Sequence, residues 1–119
     1  MAIERFDQLE VWQQAHEFVL GIYRLTAAFP NEERFGLVSQ MRRAAVSIRA
    51  NIAEGFKRRG LKDKIHFYNI AQGSLEEVRY YLRLSLDLGY ATKTDSLNEL
   101  ADQVARMLHG LIESLRRRS

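Results

Sequence analysis

Between Gln40 and Lys64 the chain gathers eight cationic side chains, Arg42, Arg43, Arg49, Lys57, Arg58, Arg59, Lys62 and Lys64, against two acids, Glu54 and Asp63. The whole 119-residue chain carries a net charge of +3, so everything outside this segment sums to a negative value. Lysines and arginines grouped in this way neutralise phosphate oxygens, which makes the eight candidate nucleic-acid-binding residues for an RNA or DNA backbone. Arg42 and Arg43 have another use open to them: pairing with Glu54 on the same helix, or with Glu76 and Glu77 further along, would fix helix register. Lys57, Arg58, Arg59, Lys62 and Lys64 stand at a helix junction with few acids near by, free to meet phosphates or to form an ordinary solvated turn. His66 adjoins them and either touches phosphate or packs. Phe56, Phe67 and Tyr68 either stack on bases or complete the core, so binding is expected to tolerate many sequences.

Catalytic patterns are missing from the same residues. A di-iron bundle needs paired Glu-x-x-His motifs and two further glutamates. Only Asp63-Lys64-Ile65-His66 has an acid three places before a histidine, and neither His16 nor His109 does. No metal and no cofactor are expected. Gly55 and Gly60 have the spacing of a phosphate loop, but Leu61 stands where its lysine belongs and no buried strand precedes it. Ser39 and Ser74 lack the glycines of a nucleophile elbow. The reading is a protein that is not an enzyme. A nucleic-acid-processing enzyme would need clustered carboxylates, for which Glu76, Glu77 and Asp95 are the candidates.

The elements that position these residues are helices. One proline, Pro30, and seven isolated glycines interrupt apolar spacing of three and four residues, with no β-branched alternation. Breaks around Pro30-Asn31, Arg58 to Leu61 and Gly89 to Thr92 predict helices over about Asp7 to Phe29, Phe35 to Lys57, Leu61 to Leu88 and Lys93 to Arg117. In the second, Met41, Ala44, Ala45, Ile48 and Ile52 share one face, whose small residues let a neighbouring helix come close. The first carries two adjacent stripes: Leu9, Trp12, His16, Val19, Tyr23 and Thr26 beside Val11, Ala15, Phe18, Ile22, Leu25 and Phe29. That width suits either an intersubunit surface or a broad core face under a loop. The third pairs a core stripe, Ile65, Tyr68, Ala71, Leu75, Val78, Leu82 and Ser85, with a second line through Phe67, Ile70, Ser74, Tyr81, Leu84 and Leu88. Leu97, Leu100 or Ala101, Val104, Leu108, Leu111 and Leu115 give the last helix the narrowest stripe. Gly89 suits a left-handed cap, and Thr92-Lys93-Thr94-Asp95 resembles a capping box. Long helices with short connections predict one all-α domain, residues 1–119, folded as an antiparallel up-down-up-down four-helix bundle about 30 Å long.

No cysteine occurs, which excludes disulfides and thiolate chemistry and suits a reducing cytosol. The start MAIERFDQLEVW places charges where a signal peptide needs an apolar run, and nothing approaches the ~18 apolar residues of a membrane span. A soluble, unprocessed cytoplasmic protein without membrane contact is expected.

Three motifs in order, Arg34-Phe35-Gly36-Leu37, Gln40-x-Arg42-Arg43-Ala44-Ala45-Val46-Ser47-Ile48 and Asn51-Ile52-Ala53-Glu54-Gly55, resemble the signature of a bacterial four-helix bundle family. It is the family encoded by intervening sequences in 23S ribosomal RNA genes. Phe6-x-x-Leu9-x-Val11-Trp12, Phe67 with Ala71, Ser74 and Glu77, and Leu88-Gly89-Tyr90 extend the likeness over nearly the whole chain. Family members typically hold a proline where this chain has Arg49, so a proline bend in the second helix is not expected. The resemblance implies a homopentamer of antiparallel bundles with no known catalysis. It also implies kinship in fold with the accessory protein of diversity-generating retroelements, a pentameric barrel that binds nucleic acid and a reverse transcriptase. Two functions follow as expectations: an oligomeric, non-catalytic binder of nucleic acid, or a scaffold that docks a protein partner while its cations solubilise it.

Overall fold

The computed structural model describes residues 3–119; residues 1 and 2 of the predicted 1–119 domain lie outside it. Four helices follow one another, α1 (Glu10–Thr26), α2 (Leu37–Lys57), α3 (Leu61–Asp87) and α4 (Asp95–Arg117), with single 3-10 turns at Phe6–Gln8 and Asn31–Glu33. No strand occurs among the described residues. Each helix packs on two neighbours in the cyclic order α1, α2, α3, α4, with no diagonal contact. Cross-helix pairs fix the directions. Arg42, early in α2, meets Thr26, late in α1. Met41 meets Ser85 near the far end of α3, and Gly55 meets Tyr68 near its start. Arg79 reaches Asp102 of α4. The bundle is all-α and antiparallel, as expected.

The core follows the predicted stripes. Phe18, Ile22, Met41, Ile48, Ile52, Leu75, Leu82 and Leu108 are almost fully withdrawn from water, each worth about 1.5–3 kcal/mol of burial. In α1 the stripe through Val11, Ala15, Phe18 and Ile22 is buried, whereas Trp12 and His16 of the other stripe are half-buried and Tyr23 is 41% exposed. Trp12 owes its cover partly to the N-terminal turn, since Phe6 packs edge-on against it at 5.2 Å. In α4 it is Ile112, rather than the expected Leu111, that is buried. Ser47 and Ser74 meet at 2.9 Å between α2 and α3, and Asn51 Nδ2 donates to the Ser47 carbonyl at 2.8 Å. Ala44, small and buried, lies one helical step before Ser47 on the side of α2 that meets α3.

Helix ends differ from expectation where backbone chemistry overrides side-chain period. α1 begins at Glu10 rather than Asp7, because Leu9 is extended (φ −70°, ψ 130°). It ends at Thr26 rather than Phe29, because the residue before a proline avoids helical angles and the chain tightens into a Phe29-to-Thr26 bond of 3.1 Å. α2 begins at Leu37, behind Gly36, and runs unbroken past Arg49. Gly89 takes φ 77°, with Tyr90 N–H on the Ser85 carbonyl and Gly89 N–H on Leu86, the left-handed cap that the sequence predicts. The capping box does not form: α4 starts at Asp95, and the Thr94 hydroxyl accepts from Asn98 Nδ2 at 3.1 Å instead of from a backbone amide. The molecule is 46 Å long, not about 30 Å. α3 alone has 27 residues, about 40 Å at the helical rise.

Candidate nucleic-acid interface

The eight predicted cations do not form one surface. Arg42 and Lys57 lie on the same unbroken helix and stand about 22 Å apart at 1.5 Å per residue. The structure divides the set into a pole, where α2 ends and α3 begins, and a flank that carries Arg42 and Arg43 near the opposite end and Arg49 midway along α2.

At the pole, Lys57, Arg58, Arg59 and Lys62 are exposed. Together with Glu54, Gly60 and Asp63, the first three line an open groove of about 460 Å³. Arg58 is partly engaged: its Nη2 lies 2.6 Å from Glu54 Oε2, and its guanidinium covers the Phe67 ring at 4.7 Å. Both groups of this ion pair are exposed, so it holds Arg58 only weakly. Lys57, Arg59 and Lys62 have no ion pair among the described residues. Lys64 is different. Its Nζ donates to the carbonyls of Phe56 at 2.7 Å and Gly55 at 3.2 Å, closing the C-terminal end of α2. Burial and the neighbouring positive charge of Arg118 lower its pKa.

That influence of Arg118 on Lys64 shows a group that segment-by-segment reading missed. The antiparallel order returns the end of α4 to this pole, so Arg117 and Arg118, both exposed, join the cations of the α2–α3 junction. Arg116 is paired with Glu113 at 2.7 Å. The sequence held the signal: an even number of helices brings the C-terminus back to the end where the second connection lies.

On the flank, Arg42 is built into the bundle. Its Nε donates to Thr26 Oγ1 at 2.9 Å and its Nη2 to the Tyr23 carbonyl at 3.3 Å, while the guanidinium lies 4.5 Å from the Tyr23 ring centroid. The expected pairing with Glu54, Glu76 or Glu77 is absent, because Arg42 faces α1. Arg43 is exposed and also without an ion pair among the described residues. Arg49 Nη1 lies 3.3 Å from His16 Nδ1, and the His16 ring stacks on Trp12 at 5.2 Å. A guanidinium only donates, so Nδ1 is the acceptor in this contact.

Among the predicted stacking residues, Tyr68 is 2% exposed and belongs to the core, where burial pushes its phenol up to about 12. Glu76 Oε1 lies 3.2 Å from Arg79 Nε, which has no aligned hydrogen bond; the same guanidinium forms an ion pair with Asp102, Nη1 to Oδ1 at 2.9 Å. The Tyr81 hydroxyl is 2.7 Å from Gln40 Oε1 and 3.0 Å from Glu77 Oε2, and its one proton serves one of them at a time. Among the described residues no three histidine, aspartate or glutamate side chains gather as a metal site, and no helix is long and apolar enough to cross a membrane.

Residues 7–110 match the family described as 23S rRNA-intervening sequence protein. The fold is similar to the crystal structure of a protein of unknown function from the S23 ribosomal protein family of Bacteroides thetaiotaomicron VPI-5482. That likeness has a TM-score of 0.76 at 28% identity and covers 87% of this chain and 95% of the other. No curated protein matches.

Proposed function

This chain belongs to the 23S rRNA-intervening sequence protein family, and on that premise we propose that it is a non-catalytic, homo-oligomeric cytoplasmic protein that binds RNA or DNA backbone through its basic pole. The observation that carries the reading is the set Lys57, Arg59 and Lys62, exposed without carboxylate partners at one end of the bundle, with Arg117 and Arg118 alongside. Unpaired cations meet phosphate without first breaking an internal ion pair. Assembly would repeat the pole in several copies. Exposed Ile70, Tyr80 and Leu88 on or just beyond α3 are apolar surface in reserve for subunit contact, and the pentamer implied by the family resemblance is the expected stoichiometry.

The test is fluorescence anisotropy of a short duplex RNA over a salt series, with native mass spectrometry of the same samples. Each neutralised phosphate contributes about −0.9 to the logarithmic salt slope on B-DNA and about −0.7 on a single strand. Exchanging Lys57, Arg59 and Lys62 for glutamate abolishes binding at low salt and leaves mass and helicity intact. Retained binding in that variant refutes the pole as the interface, and a monomer at micromolar concentration refutes the assembly. The competing scaffold role predicts a protein partner whose capture survives nuclease treatment.

A further inference from the structure

Phe35 is 89% exposed, the most exposed large apolar side chain of the described residues. It is not on a loose loop. Arg34 N–H bonds the Asn31 carbonyl at 3.1 Å, Gly36 N–H bonds that of Glu33 at 3.1 Å, and Leu37 N–H bonds Glu33 Oε1 at 3.3 Å. The other oxygen of Glu33 takes the Tyr90 hydroxyl at 2.9 Å. A turn tied at this many points holds an aromatic ring in water, where leaving it unburied forgoes the stabilisation that ordinary packing would give.

Beside the ring lies an open cleft of about 330 Å³, lined by Tyr23, Arg34, Phe35, Val38, Ser39, Arg42 and Arg43. The volume falls at the low end of small-ligand sites, about 300–1,000 Å³. Three guanidiniums and two partly or fully exposed rings line it, and no carboxylate does. Each arginine has a distinct position. Arg42 is anchored to Thr26 and backs the Tyr23 ring at 4.5 Å. Arg34 lies 5.5 Å from the Phe35 centroid. Arg34 and Arg43 are exposed and have no ion pair among the described residues.

We infer that this cleft takes an unpaired nucleotide of a single strand, its base stacked on Phe35 and its phosphate held by Arg34 and Arg43. A base supplies the flat π-face that an exposed phenyl ring lacks, and the adjoining phosphate supplies the anion for guanidiniums that have none. An acidic peptide would satisfy the arginines and leave the rings in water. A duplex buries its base faces in its own stack, so it offers this cleft phosphate alone. The inference shares with the proposed function only the premise of a nucleic-acid ligand, since the cleft lies at the other end of α2 from the basic pole.

The experiment measures anisotropy of a labelled short oligouridylate and of a duplex RNA of equal length on the full chain, with native mass recorded for each variant. Phe35→Ala weakens the single strand by at least about fivefold, the low end of one lost base–aromatic stack, and leaves the duplex unchanged. Phe35→Leu, which keeps apolar bulk without a π-face, behaves like Phe35→Ala, and Phe35→Trp retains binding. Uridine monophosphate competes with the oligonucleotide for the cleft, whereas inorganic phosphate at the same concentration does not. Equal single-strand affinity of Phe35→Ala and the unaltered chain overturns the inference while leaving the pole untouched. A fall in oligomer mass on Phe35→Ala overturns it as well, and assigns the ring to a subunit contact. Loss of duplex binding through the charge reversals at the pole concerns the proposed function alone.

Discussion

Replacing Gly55 with alanine tests the seam between α2 and α3 on which the basic pole is built. A Cβ at Gly55 would lie 2.5, 2.8 and 3.0 Å from three carbons of the Tyr68 ring. Ordinary carbon contacts are about 3.5–4.0 Å, so the ring or the helix has to retreat by about 1 Å. Tyr68 is 2% exposed and packed on all sides, and forcing an extra methyl into such a place costs about 1–3 kcal/mol. Against this stands the helix preference for alanine, at most about 1 kcal/mol and less here, because Gly55 is in the last turn of α2. The expected net loss is about 1–2 kcal/mol, a fall in Tm of about 3–5 °C per kcal/mol for a chain of this size. Gly73 and Gly110 supply the controls: each is inside a helix, and a Cβ there meets nothing within 4 Å. The same substitution at either raises Tm by the amount that about 1 kcal/mol brings. Gly21 falls between, since its close neighbour is the tip of Leu97, a flexible side chain that can turn aside. Thermal melts followed by far-UV circular dichroism rank the four. Adding Tyr68→Leu to Gly55→Ala should recover part of the loss as a favourable coupling. If Gly55→Ala melts as high as Gly73→Ala, the tight approach of α2 to the Tyr68 ring is wrong.

Tyr68 also predicts an alkaline transition. Burial pushes its phenol up to about 12, from the usual value of about 10, so the fold favours the neutral form. Its contribution is full below pH about 10 and is lost as pH rises towards 12, in all roughly 2–3 kcal/mol for two pK units. Denaturant titrations over that range should show the fall in the unaltered chain and a flatter profile in Tyr68→Phe. For Arg42→Met, loss of a charged hydrogen bond and a ring contact should cost about 1–2 kcal/mol. Thr26 keeps its bond to the Ile22 carbonyl. Because Arg42 is engaged internally, the salt slope on duplex RNA stays unchanged; a slope reduced by about 0.9 would show that Arg42 meets phosphate after all.

The sequence by itself determined the helices, their order and most of their buried faces. These depend on local rules: the period of apolar residues, the donor missing from Pro30 and the positive φ that Gly89 adopts. It also placed the cations along the chain, and the family likeness was readable in three short motifs. What tertiary structure decided was which cations are free. Arg42 and Arg43 are adjacent, yet one is bound to α1 and the other faces water, because neighbouring helical positions point about 100° apart. Lys64 reads as an unoccupied junction lysine until the end of α2 is seen to offer it two carbonyls. Arg117 and Arg118 stand far along the chain from the α2–α3 junction, and the antiparallel turns carry them back to its pole. Phe35, which stands in the Arg34-Phe35-Gly36-Leu37 motif, is held in water by a turn whose bonds join Glu33 to Tyr90, far apart in sequence. Long charged side chains reach partners on other helices, and no local pattern records where those partners lie.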